Sequence, residues 1–63
     1  MIVEFIDSDS ATTVYINPAY VIAVRPDPTD PHRVAQVKLQ DGETIRVQGE
    51  PQEVAGQLAH APY

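Results

Sequence analysis

The fold is decided by the stretch from Arg33 to Gln48, which reads RVAQVKLQDGETIRVQ. Apolar and polar side chains alternate on both sides of Asp41-Gly42, and a period of two is typical of strands with one buried face. Asp-Gly between two such segments is typical of a two-residue type I′ turn. The sequence therefore predicts a β-hairpin here, with these side chains facing inward: Ala35, Val37, Leu39, Ile45 and Val47.

A second hairpin is predicted near the start of the chain. β-branched and aromatic residues dominate 1–7 and 11–16, and these residue types are enriched in strands. The polar cluster 7–10 between them, DSDS, favours a turn because short polar side chains hydrogen-bond to the nearby backbone. Asn17-Pro18 ends the second strand, since proline lacks the N–H that a ladder needs.

The segment 20–25 is predicted to be a strand that is apolar on both faces. By alternation, one face carries Tyr20, Ile22 and Val24, and the other carries Val21 and Ala23. Such a strand is either covered on both sides or part of an interface. It leads into the loop 26–31, whose prolines favour an extended and stiff conformation.

A short helix over about residues 50–60 is predicted to follow the sheet. Pro51 suits the first helical position, and the neighbouring Glu50 and Glu53 favour the positive helix N-terminus. Val54 and Leu58 lie four residues apart, on one helical face. A helix of this length is marginal by itself, so we expect it to dock on the sheet or on a partner chain. His60 falls in its last turn.

These elements predict one small domain over residues 1–63 that is mainly β, of the α+β kind. The short connections make all five strands antiparallel. The expected architecture is a five-stranded, bent antiparallel sheet or a small open barrel, with one short C-terminal helix.

Composition limits the classes of function. The chain of 63 residues has no cysteine and a net charge of −5, so disulfides and thiolate metal sites are excluded. The serines, Ser8 and Ser10, lie in an acidic turn with no histidine nearby in sequence, and the glycines are isolated rather than clustered in a phosphate loop. Asp27 and Asp30 have oxygens that can bind a cation. We expect no enzyme activity, no cofactor and no metal centre.

A protein-interaction or assembly module is the leading hypothesis. Chains of this size often gain stability by oligomerisation, so we expect a dimer or a small ring, and in addition another protein as partner. The residues predicted to form the interface are apolar side chains that face away from the core or lie on the helix: Ile2, Ile6, Tyr15, Val21, Ala23, Val54 and Leu58.

A nucleic-acid-binding regulator is the alternative hypothesis. Its binding face would use the four basic residues, Arg25, Arg33, Lys38 and Arg46. The negative net charge disfavours it, because phosphate backbones are bound by Lys and Arg.

The order of motifs from Val14 to Leu58 provides a second kind of argument. A hairpin leads to an Ile-Asn turn, a strand, a second hairpin with a polar-glycine turn and an acidic helix start; the matching residues are Ile16-Asn17, Ile22, Val37, Leu39, Asp41-Gly42, Ile45, Val47 and Glu53-Val54. This pattern resembles the small flagellar proteins of the FlbD and SwrD type. The resemblance implies a motility accessory protein that acts through protein contacts and carries no catalytic residues.

The expected location is the cytoplasm of a bacterium, or of a bacterium infected by a phage. No apolar run approaches the ~20 residues that span a bilayer, so we expect no membrane insertion. The sequence MIVEFID at residues 1–7 lacks the basic segment that opens a signal peptide.

Overall fold

The computed structural model of the chain describes residues 2–59. The predictions for Met1 and His60 lie outside these residues. Five strands, one 3₁₀ helix and one α-helix follow each other in the order β1 (Val3–Ile6), β2 (Thr13–Ile16), the 3₁₀ helix (Pro18–Tyr20), β3 (Val21–Pro26), β4 (Val34–Leu39), β5 (Thr44–Gln48) and α1 (Pro51–Ala59). The mainly β fold with one C-terminal helix is confirmed.

The strands form two antiparallel sheets. β1 pairs with β2, and β3, β4 and β5 form a three-stranded sheet in that order. β1 lies beside β5, where a single bridge joins Asp7 to Val47 and the N–H of Ser8 donates to the carbonyl of Arg46 at 2.9 Å. The sheets do not close into a barrel, and the five antiparallel strands are divided between these two sheets.

The core lies between the inner faces of the sheets and the helix. Val37 opposes Ile45 and Ala35 opposes Val47 across β4 and β5, as the alternation predicts. The buried apolar cluster consists of Phe5, Ile16, Ala35, Val37, Val47, Val54 and Leu58. Half-buried apolar side chains pack around it, namely Val3, Val14, Val21, Val24, Leu39 and Ile45.

The turn between β4 and β5 differs from the predicted one. The N–H of Leu39 donates to the carbonyl of Glu43, and the N–H of Gly42 donates to the carbonyl of Leu39. The loop therefore has three residues, Gln40 to Gly42, and only Gly42 has a positive φ, of 89°. A type I′ turn needs positive φ at both central residues, so that prediction was wrong; the loop has the pattern of a type I turn followed by a left-handed glycine.

A β-bulge changes the faces predicted for β3. Val21 opposes Leu39, but Ala23 opposes Lys38, so Ile22 is the extra residue on β3. The bulge returns Val21 and Val24 to the same face, where both pack against the core. Ile22 is left exposed on the edge. The predicted strict alternation along 20–25 was therefore wrong.

The helix docks on its own sheet. Val54 and Leu58 are 2% and 8% exposed and belong to the core cluster. Of the two docking surfaces that were expected, the sheet is the one used. Val54 and Leu58, which were predicted as interface residues, are therefore buried inside the single chain. No helix within residues 2–59 has the length and apolarity needed to cross a bilayer.

Two alanine substitutions test how the helix joins the sheet. Gly49 has a φ of +133°, and a Cβ there would lie 3.2 Å from Cγ2 of Val54. We expect Gly49→Ala to destabilise the fold by about 1–3 kcal/mol, because an L residue is strained in this conformation. We expect Gly56→Ala, where a Cβ meets open space, to stabilise the helix by about 0.5–1 kcal/mol. Urea denaturation followed by circular dichroism measures both, and equal signs would contradict this account.

Candidate functional site

Asp27 is a buried carboxylate at the end of β3. It is 1% exposed, and donors surround both of its oxygens. Nε of Arg46 and Nε2 of Gln36 donate to Oδ1 at 2.9 and 3.1 Å, and Nη2 of Arg46 reaches Oδ2 at 3.3 Å. The backbone N–H groups of Thr29 and Asp30 donate to Oδ2 at 3.0 and 3.1 Å. The carboxylate is therefore held by a two-pronged ion pair and three further hydrogen bonds.

Local backbone geometry places these groups together. Register brings Gln36 opposite Arg46, on the face of the sheet away from the core. Asp27 follows Pro26, and the N–H of Asp27 donates to the carbonyl of Val34, which extends the pairing of β3 with β4 by one residue. The chain then turns toward β4, and the short side chain of Asp27 stabilises this turn because it can accept from the N–H groups two and three residues ahead, those of Thr29 and Asp30.

Arg46 also reaches the first hairpin. Nη1 of Arg46 forms an ion pair with Asp9, in the turn between β1 and β2. Its backbone carbonyl accepts from Ser8 in the same turn, and the Asp7 carboxylate accepts from the N–H groups of Asp9 and Ser10. One arginine thus connects the turn of the first hairpin, β5 and the loop after β3.

The carboxylates of Asp27 and Asp7 and the guanidinium of Arg46 stabilise one another, or are stabilised by nearby N–H groups, in their charged forms. The Arg46 guanidinium holds the pKa of Asp27 far below its usual value of 3.8, and the other donors act in the same direction against the opposing effect of burial. Asp27 in turn raises the pKa of Arg46. The N–H groups of Asp9 and Ser10 lower the pKa of Asp7. A carboxylate held in this way is a structural anion rather than a proton acceptor.

The cation that occupies the Asp27 oxygens is the Arg46 side chain. The sequence offers Asp27 and Asp30 as oxygen ligands for a cation, but both oxygens of Asp27 already accept hydrogen bonds from donors of this chain. Among residues 2–59, no group of three or more His, Asp or Glu side chains is arranged to hold a metal ion.

The outer face of the first hairpin exposes apolar side chains. Register places Val3 and Phe5 opposite Ile16 and Val14 on the core face, so the residues between them point outward. Ile2, Ile6 and Tyr15 are 54%, 39% and 66% exposed. They are three of the seven predicted interface residues, and the structure brings them to one hairpin.

The remaining predicted interface residues lie elsewhere. Val21 packs against the core, and Ala23 lies on the opposite face of β3, beside Lys38. A second pair of exposed apolar side chains, Tyr20 and Ile22, lies at the β3 edge, each 59% exposed. The predicted interface is therefore not one continuous surface, and its coherent part is the first hairpin.

The basic residues share a face only in part. Register places Arg25, Gln36 and Arg46 in one row across the three-stranded sheet, with Lys38 in the next row of the same face. Arg33 is exposed in the loop before β4. Because Arg46 is paired with Asp27 and Asp9, its charge is already compensated within the chain.

An open pocket of about 470 Å³ lies at one end of the three-stranded sheet, lined by Tyr20, Leu39, Gln40 and Asp41. It is flanked by the exposed Tyr20 ring and the loop between β4 and β5. The residues of the lining carry one carboxylate, one amide and one phenol.

The Asp27 cluster is the feature that sequence reasoning missed. The sequence predicts Arg46 as part of a basic binding face and places Asp9 in the polar turn 7–10. Part of the signal was present, because alternation already placed Gln36 and Arg46 on the same outer face. Asp27 is nineteen positions from Arg46, and the prolines on both sides of Asp27 do not indicate that the pairing of β3 with β4 extends to it.

A comparison of this chain with protein-family models, with curated proteins and with solved structures finds no match in any of the three.

Acid should weaken the Asp27 cluster. The folded-state pKa of Asp27 lies below its ordinary value of 3.8, so the unfolded chain binds the proton more readily. The stabilisation is therefore fully present above about pH 4 and is lost as the pH falls toward the folded-state value. We expect Asp27→Asn to lower stability at neutral pH and to flatten its decline below pH 4, as measured by urea denaturation across a pH series.

Asp30→Asn is the matched control for this change. It removes the same charge from the same loop. Within residues 2–59, however, the hydrogen bonds donated by Thr29, Asp30 and Gln36 go to the side chain of Asp27 and not to that of Asp30. Its variant should keep the acid-dependent decline of the parent. An Asp27→Asn variant with the same pH profile as the parent would show that the pair with Arg46 does not stabilise the fold.

Proposed function

We propose that this chain is a small, non-enzymatic protein-interaction and assembly module that self-associates and presents its first hairpin to a partner protein. The observation that carries the proposal is the exposed apolar face formed by Ile2, Ile6 and Tyr15. Several exposed apolar side chains on one face of a small protein mark an interaction site, whereas single exposed apolar residues do not.

The composition of the face supports this role. Among residues 2–59, Tyr15 is the most exposed of the large apolar side chains, at 66%. Tyrosine is enriched where interfaces bind tightly, because it combines apolar area with a polar tip. Glu4 is the cross-strand neighbour of Tyr15, so the apolar side chains surround one negative charge. A partner surface with aliphatic side chains and a basic group would complement this arrangement.

The attachment of the hairpin also supports this role. β1 meets β5 through a single bridge, and such a hairpin is marginal when it is not held in place. Its inner side chains Phe5 and Ile16 enter the core, and Arg46 ties its turn to β5 through Ser8 and Asp9. Because both the strands and the turn of the hairpin are held, its outer face loses less conformational entropy on binding than a mobile face would.

A matched pair of tyrosine substitutions tests the proposal. We expect Tyr15→Ser to raise the dissociation constant for self-association by about tenfold or more, as is typical of an interface aromatic. Tyr20→Ser removes a tyrosine of similar exposure, 59%, from the other end of the fold and should leave self-association unchanged. Size-exclusion chromatography with light scattering, over a concentration series, measures both.

Two outcomes would count against the proposal. A parent protein that stays monomeric at high micromolar concentration removes the self-association part. Equal effects of the two tyrosine substitutions would mean that the hairpin face is not the surface used.

A nucleic-acid-binding regulator remains the second candidate function. The observation in its favour is the shared orientation of Arg25 and Lys38, which register places on one face of the sheet. This face is smaller than expected from the sequence because Arg46 is occupied by two carboxylates.

The salt dependence of binding tests this second candidate. Each phosphate contact to a single strand contributes about −0.7 to the slope of log K against log salt. If this face binds single-stranded nucleic acid, the double substitution Arg25→Gln and Lys38→Gln should reduce the slope by about 1.4. Fluorescence anisotropy with a labelled oligonucleotide measures it, and absence of binding at low salt removes the candidate.

A further inference from the structure

Within residues 2–59, two strand edges lie away from the contact between the sheets. There β2 pairs with β1 alone and β3 with β4 alone, whereas β1 and β5 meet each other at the bridge between Asp7 and Val47. A free edge presents unpaired backbone N–H and C=O groups, which can pair with another chain unless side chains or backbone irregularities prevent it. The two edges of this protein differ in this respect.

The β3 edge carries three devices that oppose strand pairing. Ile22 forms a bulge, and Arg25 places a charge on the strand. Pro26 lies one residue before Asp27, whose N–H points toward β4. Pro26 therefore occupies a position whose N–H would point away from β4, and proline there removes a donor from the free edge.

The β2 edge has none of these devices. Its sequence is Thr13-Val14-Tyr15-Ile16, without charge, proline, glycine or bulge, and all four residue types favour strands. The N–H of Asp7 donates to the carbonyl of Thr12 at 2.8 Å, which fixes the alternation of hydrogen-bonded pairs along the hairpin.

This alternation determines which groups of β2 are free. Val14 and Ile16 exchange hydrogen bonds with β1, whereas the N–H and C=O groups of Thr13 and Tyr15 point away from it. Within residues 2–59 no backbone or side-chain group pairs with these outward groups. Thr13 and Tyr15 are two positions apart, so the free groups have the spacing of a strand ladder.

We propose that the β2 edge is the docking site for a second copy of this chain, with the two β2 strands paired antiparallel about a two-fold axis at Val14. This inference rests on the proposed self-association and names its geometry. Thr13 of each copy pairs with Tyr15 of the other, and each pair exchanges both of its backbone hydrogen bonds. This register uses both free residues of β2 and none from the adjoining turns.

The side chains of β2 fit a second copy. Val14 is half-buried and packs against the core, so pairing about the axis would bring the two Val14 side chains together and extend both cores across the junction. No charged side chain lies on β2. Two copies that each carry a net charge of −5 can therefore meet along this edge without opposing charges of the same sign.

The pairing also enlarges the apolar hairpin face. Tyr15 of one copy becomes the cross-strand neighbour of Thr13 of the other on the outer side. Ile2, Ile6 and Tyr15 of both copies then lie on one continuous surface, and a doubled face is a stronger binding site for a partner protein than a single one.

Amide hydrogen exchange of the parent protein tests the geometry directly. In a β2-paired dimer the amides of Thr13 and Tyr15 gain protection as concentration rises, by roughly 15-fold at a total protein concentration about 100 times the dissociation constant, where about 7% of the chains remain monomeric. The amides of Val14 and Ile16 are bonded within the hairpin and should be protected at every concentration. NMR exchange rates at low and high concentration, with light scattering on the same samples, give both readouts.

Two substitutions at Thr13 provide the matched variants. Thr13→Pro removes an N–H that points away from β1, a position at which an edge strand tolerates proline, and should weaken dimerisation at least tenfold. Thr13→Ala removes the side chain but keeps the N–H, and should dimerise like the parent. Circular dichroism and thermal melts check that both variants are folded.

The outcomes separate this inference from the proposed function. A parent dimer in which Thr13 and Tyr15 exchange freely, or which Thr13→Pro does not dissociate, would overturn the β2 geometry and leave self-association standing. A parent that is monomeric at all concentrations would overturn both. Concentration-dependent protection confined to Thr13 and Tyr15, together with loss of the dimer in the folded Thr13→Pro variant, supports the inference.

Discussion

The buried carboxylate of Asp27 has to be met by a cation and by hydrogen-bond donors, and Arg46 is the group that does most of this. Removing such a carboxylate from water is costly unless charge and hydrogen bonds compensate it. The compensation here comes from three separate segments: the loop that carries Asp27, Gln36 on β4, and Arg46 on β5. None of these segments can shift without leaving the charge unpaired, so the pair fixes the loop against the sheet.

The same arginine extends this constraint to the first hairpin. A hairpin joined to a sheet by one bridge is free to pivot unless something holds its far end. The inner side chains Phe5 and Ile16 hold one side of it in the core, and the contacts of Arg46 with Ser8 and Asp9 hold its turn. The exposed face of the hairpin and its β2 edge are consequently displayed in a fixed orientation, although they lie outside the larger sheet.

Much of the fold followed from alternation alone, and more could have followed. The inward side chains of β4 and β5 were predicted correctly. A two-residue loop at Asp41-Gly42 would oppose Val37 to Arg46, an inward residue to an outward one, whereas the three-residue loop opposes Val37 to Ile45. The period of two therefore already excluded the type I′ turn.

The bulge at Ile22 could not be predicted from the sequence, because a strand that is apolar on both faces has no pattern to reveal a shift of register. The pairing of Asp27 with Arg46 could not be predicted either, since nothing in the neighbouring sequence indicates the path of the proline loop.

A buried ion pair is a weak source of net stability, and an apolar substitute of similar shape is often as good. Its value in this chain is therefore better sought in geometry than in energy. An apolar contact would bury the same area but would tolerate several orientations of the hairpin, whereas the forked guanidinium can donate to its carboxylates in only a few orientations. The edge that this fixes is also the one without bulge, charge or proline, whereas the β3 edge has all three. One edge is protected and the other is not, and we regard the Arg46 cluster as the part of the structure that would make the proposed pairing of β2 specific.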